Sequence, residues 1–180
     1  YPEIYFDFNA IAKGYGIDLI GRYFESQGVD NYLIELGGEL LAKGKNVEKD
    51  KSWLAGVESI DSEIENRTAS AIIKLEDKAM AASGNYRKFR IDPQKGQKYV
   101  HTINPLTGRA QQSDVTSATV VAPNCALADA YATTFMAMGL EKSKELLPTL
   151  DQVEAYLTYV DADNNPKLYI TKGFQELIVK

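Results

Sequence analysis

Cysteine is nearly absent from these 180 residues, and so is any excess of basic charge. A lone Cys125 cannot close an internal disulfide, which suits a reducing compartment or an exported protein that never relied on disulfides. Lys and Arg number 20 against 25 Asp and Glu, a net charge of −5 with no basic run. The electrostatic footprint of nucleic-acid or anionic-membrane binding is therefore missing. No uncharged apolar stretch nears the roughly 18 residues of a membrane-spanning helix. The longest, Val115 to Ala128, is cut by Asp129. What is present is near average, 44% hydrophobic and 25% charged, which excludes disordered, collagenous and low-complexity chains. A chain of this length buries roughly 70% of its unfolded surface, so one domain with a core free of staples is expected. It opens at Tyr1-Pro2-Glu3 without Met or a signal-like segment, as a processed or truncated piece of something longer would.

Spacing organises the chain. Ala10 to Gln27 reads as a helix with an Ala12, Tyr15, Leu19 and Tyr23 face, Asn9 as its N-cap and Gly28 as its stop. Gly14, Gly16 and Gly21 within it each cost about 1 kcal/mol against Ala, so something approaches that backbone closely or the first turn is irregular. Tyr32–Leu36 and Glu39–Gly44 form a hairpin across Gly37-Gly38. Trp53–Glu58, Ala69–Leu75, Ala79–Ser83 and Val115–Ala122 read as strands. Asp61–Asn66 reads as an exposed loop, and Asp92–Gly96 and Asn104–Gly108 as turns. Pro123-Asn124 opens a second helix that buries Ala128, Tyr131, Phe135 and Met138 and stops at Gly139. Glu141–Leu147 is a third helix, ended by Pro148, and Val153–Val160 with Lys167–Thr171 makes a terminal hairpin. Strands outnumber helices and join mostly by turns, an α+β pattern with a largely antiparallel sheet.

Three places carry chemistry. Asp7 to Gly16 joins a strand to a helix, where free backbone N–H groups and the helix dipole suit a phosphate, Asp7 a ribose or base, and Lys13 phosphate charge. Plain capping by Asp7 and Asn9 with a solvated Lys13 serves the same residues equally well. Asp129 and Thr133 stand four apart on one helix face and offer oxygen ligands to a hard cation such as Mg²⁺. The plainer alternative is dipole complementation by Asp129 with Thr133 bonding back to its own turn. His101, the sole imidazole, precedes a tight turn, the address of a general base and equally of a surface histidine. Ser83-Gly84 lacks the flanks of a nucleophile elbow, so backbone contact with a ligand is the better reading. Cys125 beside a helix start could have a lowered pKa, but the commoner state is a buried inert thiol, and no role is assigned to it.

Taken together, Asp7 to Gly16, Leu36-Gly37-Gly38-Glu39, Ala82 to Arg87, His101 to Arg109 and Ala128 to Thr133 resemble the ApbE family of flavin transferases, five motifs in family order across nearly the whole chain. The resemblance implies an ApbE-like α+β fold in a single domain, residues 1–180, lacking the family's N-terminal segment. It implies an enzyme that uses FAD and Mg²⁺ to move FMN to a Thr or Ser of an acceptor protein, with release of AMP. FAD hydrolysis to FMN and AMP, or non-catalytic flavin binding, are the alternatives. Asp7, Lys13, Ser83, Gly84 and Ile103 would contact FAD. The cation would be held by the carbonyls of Ala10 and Ala132, the Asp129 carboxylate and the Thr133 hydroxyl. His101 would assist deprotonation of the acceptor hydroxyl or orient the pyrophosphate. A location outside the cytoplasm, periplasmic or as a lipid-anchored protein, follows from the resemblance alone.

Overall fold

The computed structural model describes Glu3 and residues 6–59, 68–85, 89–91, 98–100, 103–104, 108–110 and 113–179. Helix α1 (Ala12–Ser26) leads into the hairpin of β1 (Tyr32–Leu36) and β2 (Glu39–Lys43). Strands β3 (Trp53–Glu58) and β4 (Ala69–Leu75) pair with each other, and β5 (Lys78–Gly84) returns to the main sheet. The short strands β6 (Phe89–Ile91) and β7 (Lys98–Val100) pair together, as do β8 (Ile103–Asn104) and β9 (Arg109–Ala110). Then come β10 (Val115–Ala122), α2 (Cys125–Met138), α3 (Leu140–Leu146), a 3₁₀ turn, β11 (Glu154–Val160), β12 (Pro166–Ile170) and α4 (Lys172–Leu177). The main sheet runs β1-β2-β5-β10-β11-β12, and every neighbouring pair is antiparallel. The α+β expectation holds. No described helix is long and apolar enough to cross a membrane.

The central strands are buried on both faces. From β5 and β10, Ala79, Ala81, Ala118 and Val120 join Ile17 of α1 and Ala128, Ala132 and Phe135 of α2 in one core. Met80 and Val121 point the other way, into a second core with Val57, Ile73 and Leu75 of the β3–β4 hairpin and Phe174 of α4. Alanines on the helix side of β5 let α2 lie close on the sheet, since small side chains leave little standoff between backbones.

Most expected elements form within a residue or two of their expected ends. The Gly37-Gly38 turn takes positive φ at both positions, 64° and 107°, the geometry a two-residue hairpin needs and glycine supplies. Asn124 caps α2, its Oδ1 accepting from the Leu127 N–H at 2.9 Å, and Gly139 ends that helix at φ 82°. Pro148 does not stop α3 outright: the chain tightens into the 3₁₀ turn Leu147–Thr149 with Pro148 in its first turn. There its missing N–H costs nothing. Helix α4 and the short strands β6, β7, β8 and β9 are additions to the expected set. The expected loop at 61–66 and turn at 92–96 lie outside the described residues.

Helix α1 is the correction. It begins at Ala12 with Ile11 at the N-cap position and no side-chain cap. Asn9 instead sits in the preceding turn, donating its N–H to Asp7 Oδ1 at 2.7 Å. The expected apolar face is exposed, with Tyr15 at 52%, Leu19 at 47% and Tyr23 at 61% accessible. The buried stripe is Gly14, Ile17, Asp18 and Gly21. Both stripes have helical spacing, so periodicity alone does not choose between them. Gly14 decides it where α2 crosses, and Gly21 where Leu41 and Tyr32 of the β1–β2 hairpin come close.

Candidate functional site

The site is built where α1 crosses α2. A Cβ on Gly14 would lie 2.6 Å from the Cys125 carbonyl carbon and 2.9 Å from Ala126 Cα, so the two backbones touch at this point. Asp18, one turn further along α1, accepts the N–H groups of Cys125 and Ala126 at 2.8 and 2.9 Å. A carboxylate from one helix thus closes the N-terminus of the other and meets its positive dipole. In return, Asp129 of α2 reaches back to α1, its Oδ2 accepting the Gly14 N–H at 3.0 Å in a buried contact.

Gly14 is the third residue of α1 after the Ile11 N-cap, so its N–H is one of the first-turn groups with no acceptor inside the helix. Asp129 supplies its acceptor, and among the described residues no N–H donates to the Ala10 carbonyl in the turn before α1. The plainer roles weighed for Asp129 and Thr133 fall away. Asp129 lies beyond the first turn of α2, where the dipole is weak. Thr133 Oγ1 pairs with Ser83 Oγ of β5 at 3.2 Å, while Thr134 makes the back-bond, to the Ala130 carbonyl. Gly14, Asp129, Thr133 and Ser83 thus belong to one neighbourhood, and Ala10 lies in the turn that leads into Gly14. Ala132, between Asp129 and Thr133 along α2, is fully buried.

Charge surrounds them. Lys13, on the first turn of α1, donates to Glu39 Oε1 at 2.6 Å, and the Glu39 side chain is only 3% exposed. Burial pushes the carboxyl of Glu39 above its ordinary 4.5, opposed by Lys13 and reinforced by Asp129. Burial likewise raises Asp129 above 3.8, opposed by the Gly14 N–H and by Lys13. Cys125 is buried, and desolvation, with Asp18 and the other two carboxylates near, pushes its thiol up to about 12. The possibility of a lowered thiol pKa at this helix start is thereby overturned.

Both raised carboxyls hold a proton to higher pH in the fold than in the unfolded chain. The stability they contribute is full below about 4 and is lost as pH rises through the raised values. A cation held by Asp129 would compete with that proton. Millimolar Mg²⁺ is accordingly expected to raise Tm by several degrees at about pH 8 and by much less at about pH 5. Equal shifts at both pH values in differential scanning fluorimetry would remove Asp129 from the cation's ligands.

The remaining expected residues divide. Ser83 and Gly84 line a cavity of about 400 Å³ with Gly37, Gly38, Met80 and Thr119, between the main sheet and the β3–β4 hairpin. Asp7 is exposed and engaged with the Asn9 N–H. Ile103 is 59% exposed on β8, which packs beside α2. His101 lies outside the described residues. Glu39 and Asp18 were not singled out from the sequence as site or capping residues. The signal for Glu39 was an acidic residue opening the otherwise apolar Leu40-Leu41-Ala42. For Asp18 it was a carboxylate on the glycine stripe.

The sequence pattern of the ApbE family matches residues 1–157. The chain is 36% identical over 179 residues to the FAD:protein FMN transferase of Vibrio cholerae, covering 99% of this chain and 52% of that protein. It is 30% identical to the protein of the same name from Escherichia coli K12, covering 99% and 49%. Among solved structures, the flavin transferase ApbE of Vibrio cholerae superposes with a TM-score of 0.81 at 35% identity, over 98% of this chain and 53% of that one. The apo flavinyl transferase ApbE of Pseudomonas stutzeri gives 0.77 at 29% identity, over 95% and 51%. The chain spans about half the length of the relatives it matches. The five motifs in order, the antiparallel sheet with its crossed helices and these likenesses agree that the chain belongs to the ApbE family.

Proposed function

We propose that this chain carries the cation- and pyrophosphate-binding part of an FAD:protein FMN transferase. The observation that supports it most directly is the Gly14–Asp129 hydrogen bond. It holds the start of α1, with the Ala10 carbonyl in the turn before it, against the helix that carries Asp129 and the Thr133 of the Ser83–Thr133 hydroxyl pair, and these hard oxygens suit Mg²⁺. With Glu39 and Asp129 ionised against Lys13, the three side chains carry one net negative charge, which attracts a divalent cation and repels a bare pyrophosphate. Ala10, Asp129, Ala132 and Thr133 would hold the ion, and when bound it would supply charge neutralisation for the FAD pyrophosphate.

In the transfer, an acceptor Thr or Ser oxygen bonds to the FMN phosphorus, the bond from that phosphorus to the AMP oxygen breaks, and AMP leaves. His101 takes the hydroxyl proton or orients the pyrophosphate. Lys13 meets the phosphate charge, Asp7 and Ile103 contact FAD, and Ser83 and Gly84 bring the end of β5 against it. Positioning does most of the work in such a step. An extracytoplasmic location, periplasmic or through a lipid anchor, accompanies this reading on family likeness.

Mass spectrometry of a Thr-containing acceptor incubated with FAD, Mg²⁺ and the full-length protein tests it. The expected result is a mass gain of one FMN per acceptor, dependent on Mg²⁺ and accompanied by AMP. AMP without labelled acceptor would replace transfer with FAD hydrolysis.

A further inference from the structure

We infer that Glu39 is a positioning residue that holds the Lys13 ammonium in place for the FAD pyrophosphate. The inference rests on the proposed flavin reading. Lys13 leaves the first turn of α1 with half its side chain in solvent, yet its ammonium is anchored 2.6 Å from a carboxylate that is almost wholly buried. Glu39 is itself fixed, because it is the first residue of β2, directly after the two-glycine turn and paired with Leu36.

This pair is poorly made for stability. The second carboxylate oxygen, Oε2, is buried without a partner among the described residues. Burial of the pair's acid end is costly, and well-packed apolar side chains serve a core as well or better. What the pair does provide is a fixed location for a flexible cation. Lys13 adjoins Gly14, whose N–H holds Asp129. Anchoring the ammonium through Glu39 therefore fixes it relative to the proposed cation ligands before a phosphate arrives, sparing the ligand the ordering of a long side chain. Glu39 touches no substrate in this account and acts only through Lys13.

The test is a double-mutant cycle in the full-length protein with Lys13→Met, Glu39→Gln and the pair, reading FAD affinity in Mg²⁺ by flavin fluorescence and KM against kcat for FMN transfer. Glu39→Gln is expected to weaken FAD binding and raise KM for FAD by about tenfold while kcat stays within about threefold. Lys13→Met is expected to lose at least as much, and the double variant no more than Lys13→Met alone. A merely structural role would lower Tm and kcat without this coupling. Additive losses, or a Glu39→Gln protein that binds FAD as tightly as or more tightly than wild type, would overturn the inference; the latter would make Glu39 a competitor of phosphate for Lys13. Should Gln not be accommodated, Glu39→Met of similar volume stands in the same cycle with the same expected result. A wild-type protein without Mg²⁺-dependent FAD affinity overturns the flavin reading and this inference with it, whereas additivity in a wild type that binds overturns only the latter.

Discussion

On the proposed reading, replacing Asp129 with Asn in the full-length protein is expected to lower Mg²⁺-dependent flavin transfer by about a thousandfold while leaving the metal-free protein at least as heat-stable as the wild type. The two halves of that result come from different properties of one side chain. Asn keeps an oxygen that accepts the buried Gly14 N–H now held by Asp129 Oδ2 at 3.0 Å, so the crossing of α1 and α2 survives. It loses the charge. A carboxylate ligand supplies most of the attraction for a divalent ion in a site otherwise made of carbonyls and hydroxyls, and the ion's charge stabilisation is worth several kcal/mol. About 4 kcal/mol corresponds to the expected thousandfold. Stability moves the other way because burial already disfavours the ionised form of Asp129. Removing that charge removes a desolvation cost at neutral pH. Initial rates of acceptor labelling and a thermal melt without metal check both halves. Unchanged Mg²⁺-dependent labelling would show that Asp129 is a structural helix clamp and nothing more.

The sequence displayed the strands well because each carries its own signal. Val115–Ala122 is β-branched at five of its eight positions, Gly37-Gly38 names its turn, and Asn124 names the start of α2. The helix crossing was only half legible. Three glycines in one helix announced a close approach, but the partner, Cys125 to Asp129, lies more than a hundred residues away and nothing local points to it. The same distance hid Asp18, which looks like an ordinary polar position on α1 until the N-terminus of α2 is placed against it. Glu39 was visible only as part of a motif. Its burial against Lys13, 26 residues earlier, follows from the sheet register and the α1–sheet packing, both of which are tertiary facts. The exposed Tyr15, Leu19 and Tyr23 face is the converse case, since a strong local pattern was overruled by a glycine stripe with the better packing partner.

The same substitution at two glycines of α1 is expected to give opposite signs. At Gly14 a methyl group would enter space already held by the Cys125 carbonyl and Ala126 Cα. Both are backbone atoms, fixed at the start of α2 by the Asn124 cap and the two Asp18 hydrogen bonds, so no rotamer change makes room. α1 must slide off α2, which stretches the Asp18 and Asp129 contacts together. Overpacking costs about 1–3 kcal/mol, and loosening buried hydrogen bonds adds about 1–3 more. The gain in helix propensity, about 1 kcal/mol, offsets only part of this. Gly14→Ala is therefore expected to lower Tm by about 5–10 °C, taking 2–4 °C per kcal/mol for a chain of this size. At Gly16 nothing lies within 4 Å of the added methyl and φ does not require glycine. Gly16→Ala should keep the propensity gain whole and raise Tm by about 2–3 °C. Thermal melts of the two single variants read the contrast. Equal shifts would mean that α1 and α2 are not in backbone contact at Gly14, and the Gly14–Asp129 hydrogen bond would go with that contact.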